Sequence, residues 1–166
     1  MKEKTLELTK MGLVAALYVA LGLLFLPLSF GPLQFRFAEM TNAIAVFNKR
    51  YVWSVTIGCF IVNMFSSLAA VDLIVGTANT LVITGGSYLI SRLIKNYWAR
   101  LAVVPVVGAL SMFMIALELK YIAGAPFWIT YAGLMLTEFV MCAAGAIIFG
   151  LIERSKSIPT KYKFSN

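Results

Sequence analysis

Apolar residues run almost unbroken through this chain, with short polar stops between the runs. Residues 2–10 are polar and include Lys2, Lys4 and Lys10; an apolar run over 11–28 follows, and Pro27 with the Gly31-Pro32 pair closes it. Proline cannot continue a helical hydrogen-bond ladder and restricts the residue before it. Further runs cover 51–70, 72–93, 101–122 and 127–152, separated at Asn48-Lys49-Arg50, at Arg92 to Arg100 and at Ala123-Gly124-Ala125-Pro126. The runs are continuous rather than alternating, so they predict helices and not barrel strands. Their lengths approach the ~20 residues that a helix needs to cross a bilayer. The segment 35–47 is shorter, which predicts a tilted or partly unwound piece. Irregular backbone at membrane depth is tolerated only where it lines a cavity or is buried in protein. The expectation is an all-α membrane protein: one integral domain over 1–166, a six-transmembrane-helix bundle with an irregular second span, and a cytoplasmic tail over 153–166. The end of that tail is expected to be disordered.

Charge adds the topology. Six spans place both termini on one side. Lys2, Lys4, Lys10, Lys49, Arg50, Arg92, Lys95, Arg100, Arg154, Lys156, Lys161 and Lys163 all fall there, and only Arg36 and Lys120 fall opposite. The positive-inside rule makes the terminal side cytoplasmic, in a multi-pass protein of the cell membrane. The net charge of +7 therefore reports orientation in the bilayer and not a nucleic-acid partner. Composition agrees: 61% of residues are hydrophobic and 13% charged, against about 45–50% and 25% in soluble domains. No small-residue cleavage site follows the first run, which is read as a retained helix.

Away from the basic edges the ionisable residues are Arg36, Glu39, Asp72, Glu118, Lys120 and Glu138. Charges placed in membrane segments are costly and usually mark a function. The stretch from Phe30 to Asn42, with Gln34, Arg36 and Glu39, reads as one wall of a solute site. Asp72, Gly76, Asn79 and Thr80 share a face of the fourth span, and Asn63 adds an amide from the third. Trp128, Tyr131, Met135 and Glu138 follow at helical spacing on the sixth. The picture is a pocket with aromatic walls and a few convergent polar groups. Its acidic surplus favours a neutral or cationic ligand. Each residue has a structural alternative: Arg36 with Glu39 as an i,i+3 ion pair, Asp72 as a helix cap, Trp128 and Tyr131 as interfacial aromatics.

Catalysis finds little footing here. There is no histidine, Cys59 and Cys142 are isolated in apolar runs, and no G-x-x-x-x-G-K-[ST] loop occurs. No metal site and no cofactor are expected, and ATP hydrolysis would have to come from partners. On the first run Gly12, Ala16 and Ala20 form a small-residue stripe spaced by four, suited to close approach of another helix, inside the bundle or in a partner.

The segment Ala16-Leu17-Tyr18-Val19-Ala20 resembles the AxxxA docking motif of the substrate-binding S-components of energy-coupling factor (ECF) vitamin transporters. Within that group the chain is most similar to the QueT family. The likeness runs through Gly31-Pro32-Leu33-Gln34-Phe35-Arg36-Phe37-Ala38-Glu39, Gly58-Cys59-Phe60-Ile61-Val62-Asn63 and Asp72-Leu73-Ile74-Val75-Gly76-Thr77-Ala78-Asn79-Thr80-Leu81. The resemblance implies a subunit that captures a queuosine precursor, 7-cyano- or 7-aminomethyl-7-deazaguanine, outside the cell. It also implies partners: a transmembrane coupling protein and two ATPase subunits. The expected ligand contacts are Gln34, Arg36, Glu39, Asn63, Asp72, Asn79, Glu118, Trp128, Tyr131 and Glu138, with Gly12, Ala16 and Ala20 at the docking face. Another vitamin-like heterocycle, or a structural subunit without a ligand, remains the alternative.

Overall fold

The computed structural model describes residues 2–29, 34–66, 69–157 and 159–165. Phe30 to Leu33, with the expected Gly31-Pro32 stop, and Ser67 and Leu68, in the expected third span, lie outside the described residues. Among the described residues all regular structure is helical: α1 (Lys2–Leu24), α2 (Leu26–Ser29), a 3₁₀ helix (Phe37–Val46), α3 (Lys49–Asn63), α4 (Ala69–Ser91), α5 (Tyr97–Ser111), α6 (Phe113–Ala123), α7 (Phe127–Arg154) and a 3₁₀ turn (Thr160–Tyr162). Among the described residues four stretches are long and apolar enough to cross a membrane: Lys4–Leu24, Ala70–Ser91, Tyr97–Ala123 and Phe127–Arg154. The 3₁₀ helix and α3, with 10 and 15 residues, are shorter.

Local chemistry sets most boundaries. The ring of Pro27 cannot coexist with continued helix one turn earlier, and α1 gives way to the short α2 at Phe25. Asn48 caps α3 by accepting from the Arg50 amide at 3.1 Å, and Asn96 caps α5 by accepting from the Ala99 amide at 3.0 Å. Both satisfy amides that a helix start leaves without partners. Gly124 ends α6 in the left-handed region, φ 67°, where a side chain would be strained. The expected fifth span, 101–122, lies within the apolar stretch Tyr97–Ala123, where a single turn residue, Met112, separates α5 from α6. There the Tyr131 hydroxyl donates to the Leu110 carbonyl at 3.1 Å, and a side chain entering the ladder is a recognised cause of a break.

The 3₁₀ helix is the centre of the molecule. It packs against α1, α3, α4, α5 and α7, and from Ala38 to Val46 only Met40 escapes full burial. Its ten residues span on the order of 20 Å, and it realises the irregular inner segment that residues 35–47 imply. Gly145 of α7 makes this packing possible, because a Cβ there would overlap the Met40 backbone carbonyl. Gly58 of α3 plays the same part against Tyr18 of α1.

Two features of the basic end differ from expectation. α1 extends through the polar lead-in, where Glu7 pairs with Arg50 and the Lys10 ammonium donates to the Lys163 carbonyl at 2.8 Å. The tail folds back rather than trailing away. The Phe164 ring packs on Phe47, Tyr51 and Phe149, with centroids 5.7–6.1 Å apart. The amides of Phe164 and Ser165 donate to the Glu153 carboxylate at 2.8 and 3.1 Å. Both chain ends thus meet at one end of the bundle.

Candidate ligand-binding site

The first residues of the 3₁₀ helix, the end of α3 and the start of α4 converge at the bundle's other end. Arg36 stands at the N-terminus of the 3₁₀ helix, with Glu39 one turn on. The Arg36 Nε lies 3.6 Å from Glu39 Oε1, and the two side chains are 7% and 1% exposed. Tyr18 of α1 donates its hydroxyl to the same oxygen at 2.5 Å, and Asn42 donates to Glu39 Oε2 at 2.6 Å. Both carboxylate oxygens of Glu39 are therefore occupied from within the protein.

Asn63 connects this centre to α4. Its Oδ1 accepts from Arg36 Nη2 at 2.9 Å, and its Nδ2 donates to the Asp72 backbone carbonyl at 3.1 Å. Asp72 accepts a hydrogen bond from the Ser66 hydroxyl and sits in the first turn of α4, where the helix dipole favours an acid. Gly76 leaves the space that the Asn63 amide fills; a Cβ would meet Asn63 Nδ2 and Asp72 Oδ1. The Cys59 thiol is enclosed by the same groups, receiving from Thr80 at 3.1 Å and from Asn63 at 3.3 Å. Glu138 of α7 packs on Gly108 of α5 and accepts from the Cys142 thiol at 3.1 Å. Cys142 in turn lies 3.8 Å from the Asn42 amide. Arg36, Glu39, Asn63, Asp72 and Glu138 so belong to one buried network.

Glu118 and Asn79 behave differently. Glu118 of α6 is 6% exposed, yet neither of its carboxylate oxygens finds a partner among the described residues. Its charged neighbours are Asp72 and Arg36. Asn79, two turns beyond Asp72 on α4, is 1% exposed, and its Oδ1, Asn42 Oδ1 and Thr77 Oγ1 also find no partner among the described residues. Orphaned buried polar atoms are uncommon in proteins and call for a partner or a purpose. Here the unpartnered side-chain atoms of Glu118, Asn79 and Asn42 are all acceptors.

The remaining expected residues scatter. Gln34 is half-buried and holds φ 43°, an unusual backbone state for a residue with a side chain. Tyr131 is half-buried with its hydroxyl committed to Leu110. Trp128 is 77% exposed, its ring edge-on to Phe127 with centroids 5.0 Å apart. The ring beside Tyr131 is Phe127, stacked with centroids 5.8 Å apart. Gly12, Ala16 and Ala20 lie on the exposed face of α1. Sequence reasoning passed over Tyr18, Asn42 and Cys142 as polar members of the network. Asn42 was within reach, lying at i+3 from Glu39; Tyr18 and Cys142 carry no local signal of their long-range partners.

The family described as QueT transporter matches residues 8–154. The curated protein "Queuosine precursor transporter QueT" of Lactococcus lactis subsp. cremoris (strain MG1363) is 42% identical over 156 residues, covering 89% of this chain and 92% of that protein. No solved structure matches the chain significantly. A match over nearly the whole length, on a helical bundle with four membrane-length apolar stretches, makes this chain a membrane transport protein of the QueT transporter family.

Proposed function

We propose that the chain is the substrate-binding subunit of an ECF-type importer, and that it captures a 7-deazaguanine queuosine precursor from outside the cell. The observation carrying this reading is the set of buried, unpartnered acceptors on Glu118, Asn79 and Asn42. A guanine-type ring offers complementary donors: its ring N–H and exocyclic amine lie side by side and suit the two oxygens of one carboxylate. The relative's name points to the same ligand class. In this reading Glu118 and Asn79 contact the ligand, Asp72 and Glu138 border it, and Arg36 and Asn63 hold the wall. Gln34 and Tyr131 border the mouth. Both Glu39 oxygens already accept hydrogen bonds from the protein, and in this reading it acts by positioning Arg36 and Asn42.

The bundle crosses the membrane six times in this reading, with the 3₁₀ helix and α3 as the two short segments and both termini cytoplasmic. Gly12, Ala16 and Ala20 form the face on which a transmembrane coupling protein packs, and two ATPase subunits supply the energy. Their exposure on α1 supports this, since small residues at a helix surface let a partner helix approach closely.

Thermal unfolding of the purified chain with 7-aminomethyl- and 7-cyano-7-deazaguanine, guanine and common vitamins tests the ligand. A ligand that binds only the folded state stabilises it by roughly 2.7 kcal/mol at a hundredfold excess over Kd. Stabilisation by a deazaguanine is expected. A response to another vitamin alone moves the substrate, and no response to any compound refutes the binding role. For the docking face, Ala16→Trp is expected to keep ligand binding and abolish co-purification with the coupling protein.

A further inference from the structure

On the outside of the bundle, α5 and α7 enclose a trough of about 250 Å³. Trp98, Phe139 and Ile147 line it and are 41%, 44% and 56% exposed, Leu101, Pro105 and Ala146 are buried beneath, and Ala102 and Ala143 add only short side chains. Small side chains between bulky ones leave a slot running along the helices. From Phe139 to Ile147 it extends ~12 Å at 1.5 Å per residue. A trough of that volume is too small to seat a helix, whose diameter with side chains is about 10–12 Å. It suits a single hydrocarbon chain.

The chemistry at one end of the slot selects the head of that chain. Towards the basic end Trp98 packs over Gly150, and Arg154 lies one helical turn beyond. The Arg154 guanidinium sits 5.4 Å from the Tyr97 ring, which meets Trp98 edge-on at 5.4 Å. Arg154 is exposed and has no carboxylate partner among the described residues. Its neighbour Glu153 is buried and already accepts from the Phe164 and Ser165 amides. An apolar slot thus leads to an aromatic shelf and then to an uncompensated cation. We propose that this trough is a binding site for one anionic phospholipid, with an acyl chain in the slot and the phosphate at Arg154.

The test uses the full chain in mild detergent, with phosphatidylglycerol and phosphatidylcholine of matched acyl chains as probes and native mass spectrometry as the readout. Wild type is expected to hold one phosphatidylglycerol in preference to phosphatidylcholine by about fivefold, the contribution of one basic residue near an anionic headgroup. Arg154→Gln, a surface change, is expected to keep lipid binding and lose the preference. Ala143→Trp, which fills the slot, is expected to lose the adduct with both lipids. Equal retention of the two lipids by wild type overturns the proposal, as does a preference that survives Arg154→Gln. If Ala143→Trp instead leaves the adducts intact and blocks assembly with the coupling subunits, the trough is a partner face and the lipid site is refuted.

Discussion

Glu39 and Glu118 are both buried carboxylates near Arg36, yet the protein treats them in opposite ways. Glu39 receives Tyr18, Asn42 and Arg36, from α1 and from both sides of its own turn. Glu118 receives nothing among the described residues. A buried charge is tolerated when it is paired and hydrogen-bonded and is expensive otherwise. The first arrangement stabilises the empty protein and is what a framework needs. The second costs stability until something else supplies the donors, which is what a binding site needs. Acidity and burial alone do not distinguish the two; the inventory of donors around each oxygen does.

The most damaging way to probe the contrast is Glu39→Ala. It removes the carboxylate paired with the buried Arg36 and orphans the donors of Tyr18 and Asn42. Breaking a buried pair by removing one partner costs about 3–5 kcal/mol. Thermal unfolding of the ligand-free protein in detergent should show a large drop, or no folded protein at all. A ligand-free stability within 1 kcal/mol of wild type would show that the Glu39 network is not the framework.

Glu118→Gln is the matched opposite. The ligand-free protein should be as stable as wild type or slightly more so, because an unsatisfied buried charge becomes a neutral amide. Ligand affinity should fall on the order of 10- to 100-fold, as hydrogen bonds to a charged group are worth about 1.5–3 kcal/mol. Isothermal titration of both proteins with the ligand that stabilises wild type measures it. Unchanged affinity would remove Glu118 from the site.

Gly76→Ala sharpens the boundary between the centres. The new methyl would meet the Asn63 amide and the Asp72 carboxylate. Asn63 is a flexible side chain and can yield, but only by loosening its bond to Arg36. A loss of about 1–3 kcal/mol in ligand-free stability is expected, the usual cost of overpacking a buried contact.

Much of this was readable from the chain. The apolar runs give a helical membrane protein, and the shortness of 35–47 together with Arg36 and Glu39 marks an inner, irregular segment, found as the buried 3₁₀ helix. Arg36, Glu39, Asn63, Asp72 and Glu138 are legible as members of the buried polar network because polar and ionisable groups inside a membrane segment stand out against their neighbours. What was not legible depends on contacts distant in sequence or on fine rotation about a helix. Tyr18 meets Glu39 from 21 residues away and Cys142 lies 100 residues from Asn42, and no local period encodes either. Trp128 differs from Phe127 by one position, about 100° of rotation, which is enough to put one ring beside Tyr131 and leave the other exposed.

The tail offers the gentlest test, because it touches neither centre. Its polar, basic sequence suggests disorder, but a single aromatic, Phe164, finds three rings at the basic end, and Glu153 accepts two of its amides. The ring is only partly buried, so Phe164→Ala should cost less than the ~3–5 kcal/mol of a fully buried phenylalanine, about 1 kcal/mol. Limited proteolysis should show faster cleavage after Lys156 and Lys161, while ligand affinity stays at the wild-type value. If affinity fell as well, the basic end and the polar network would be coupled through the 3₁₀ helix. That helix carries Phe47 immediately after its last residue and Glu39 in its first turn, so it is the element through which a disturbance at one end would reach the other.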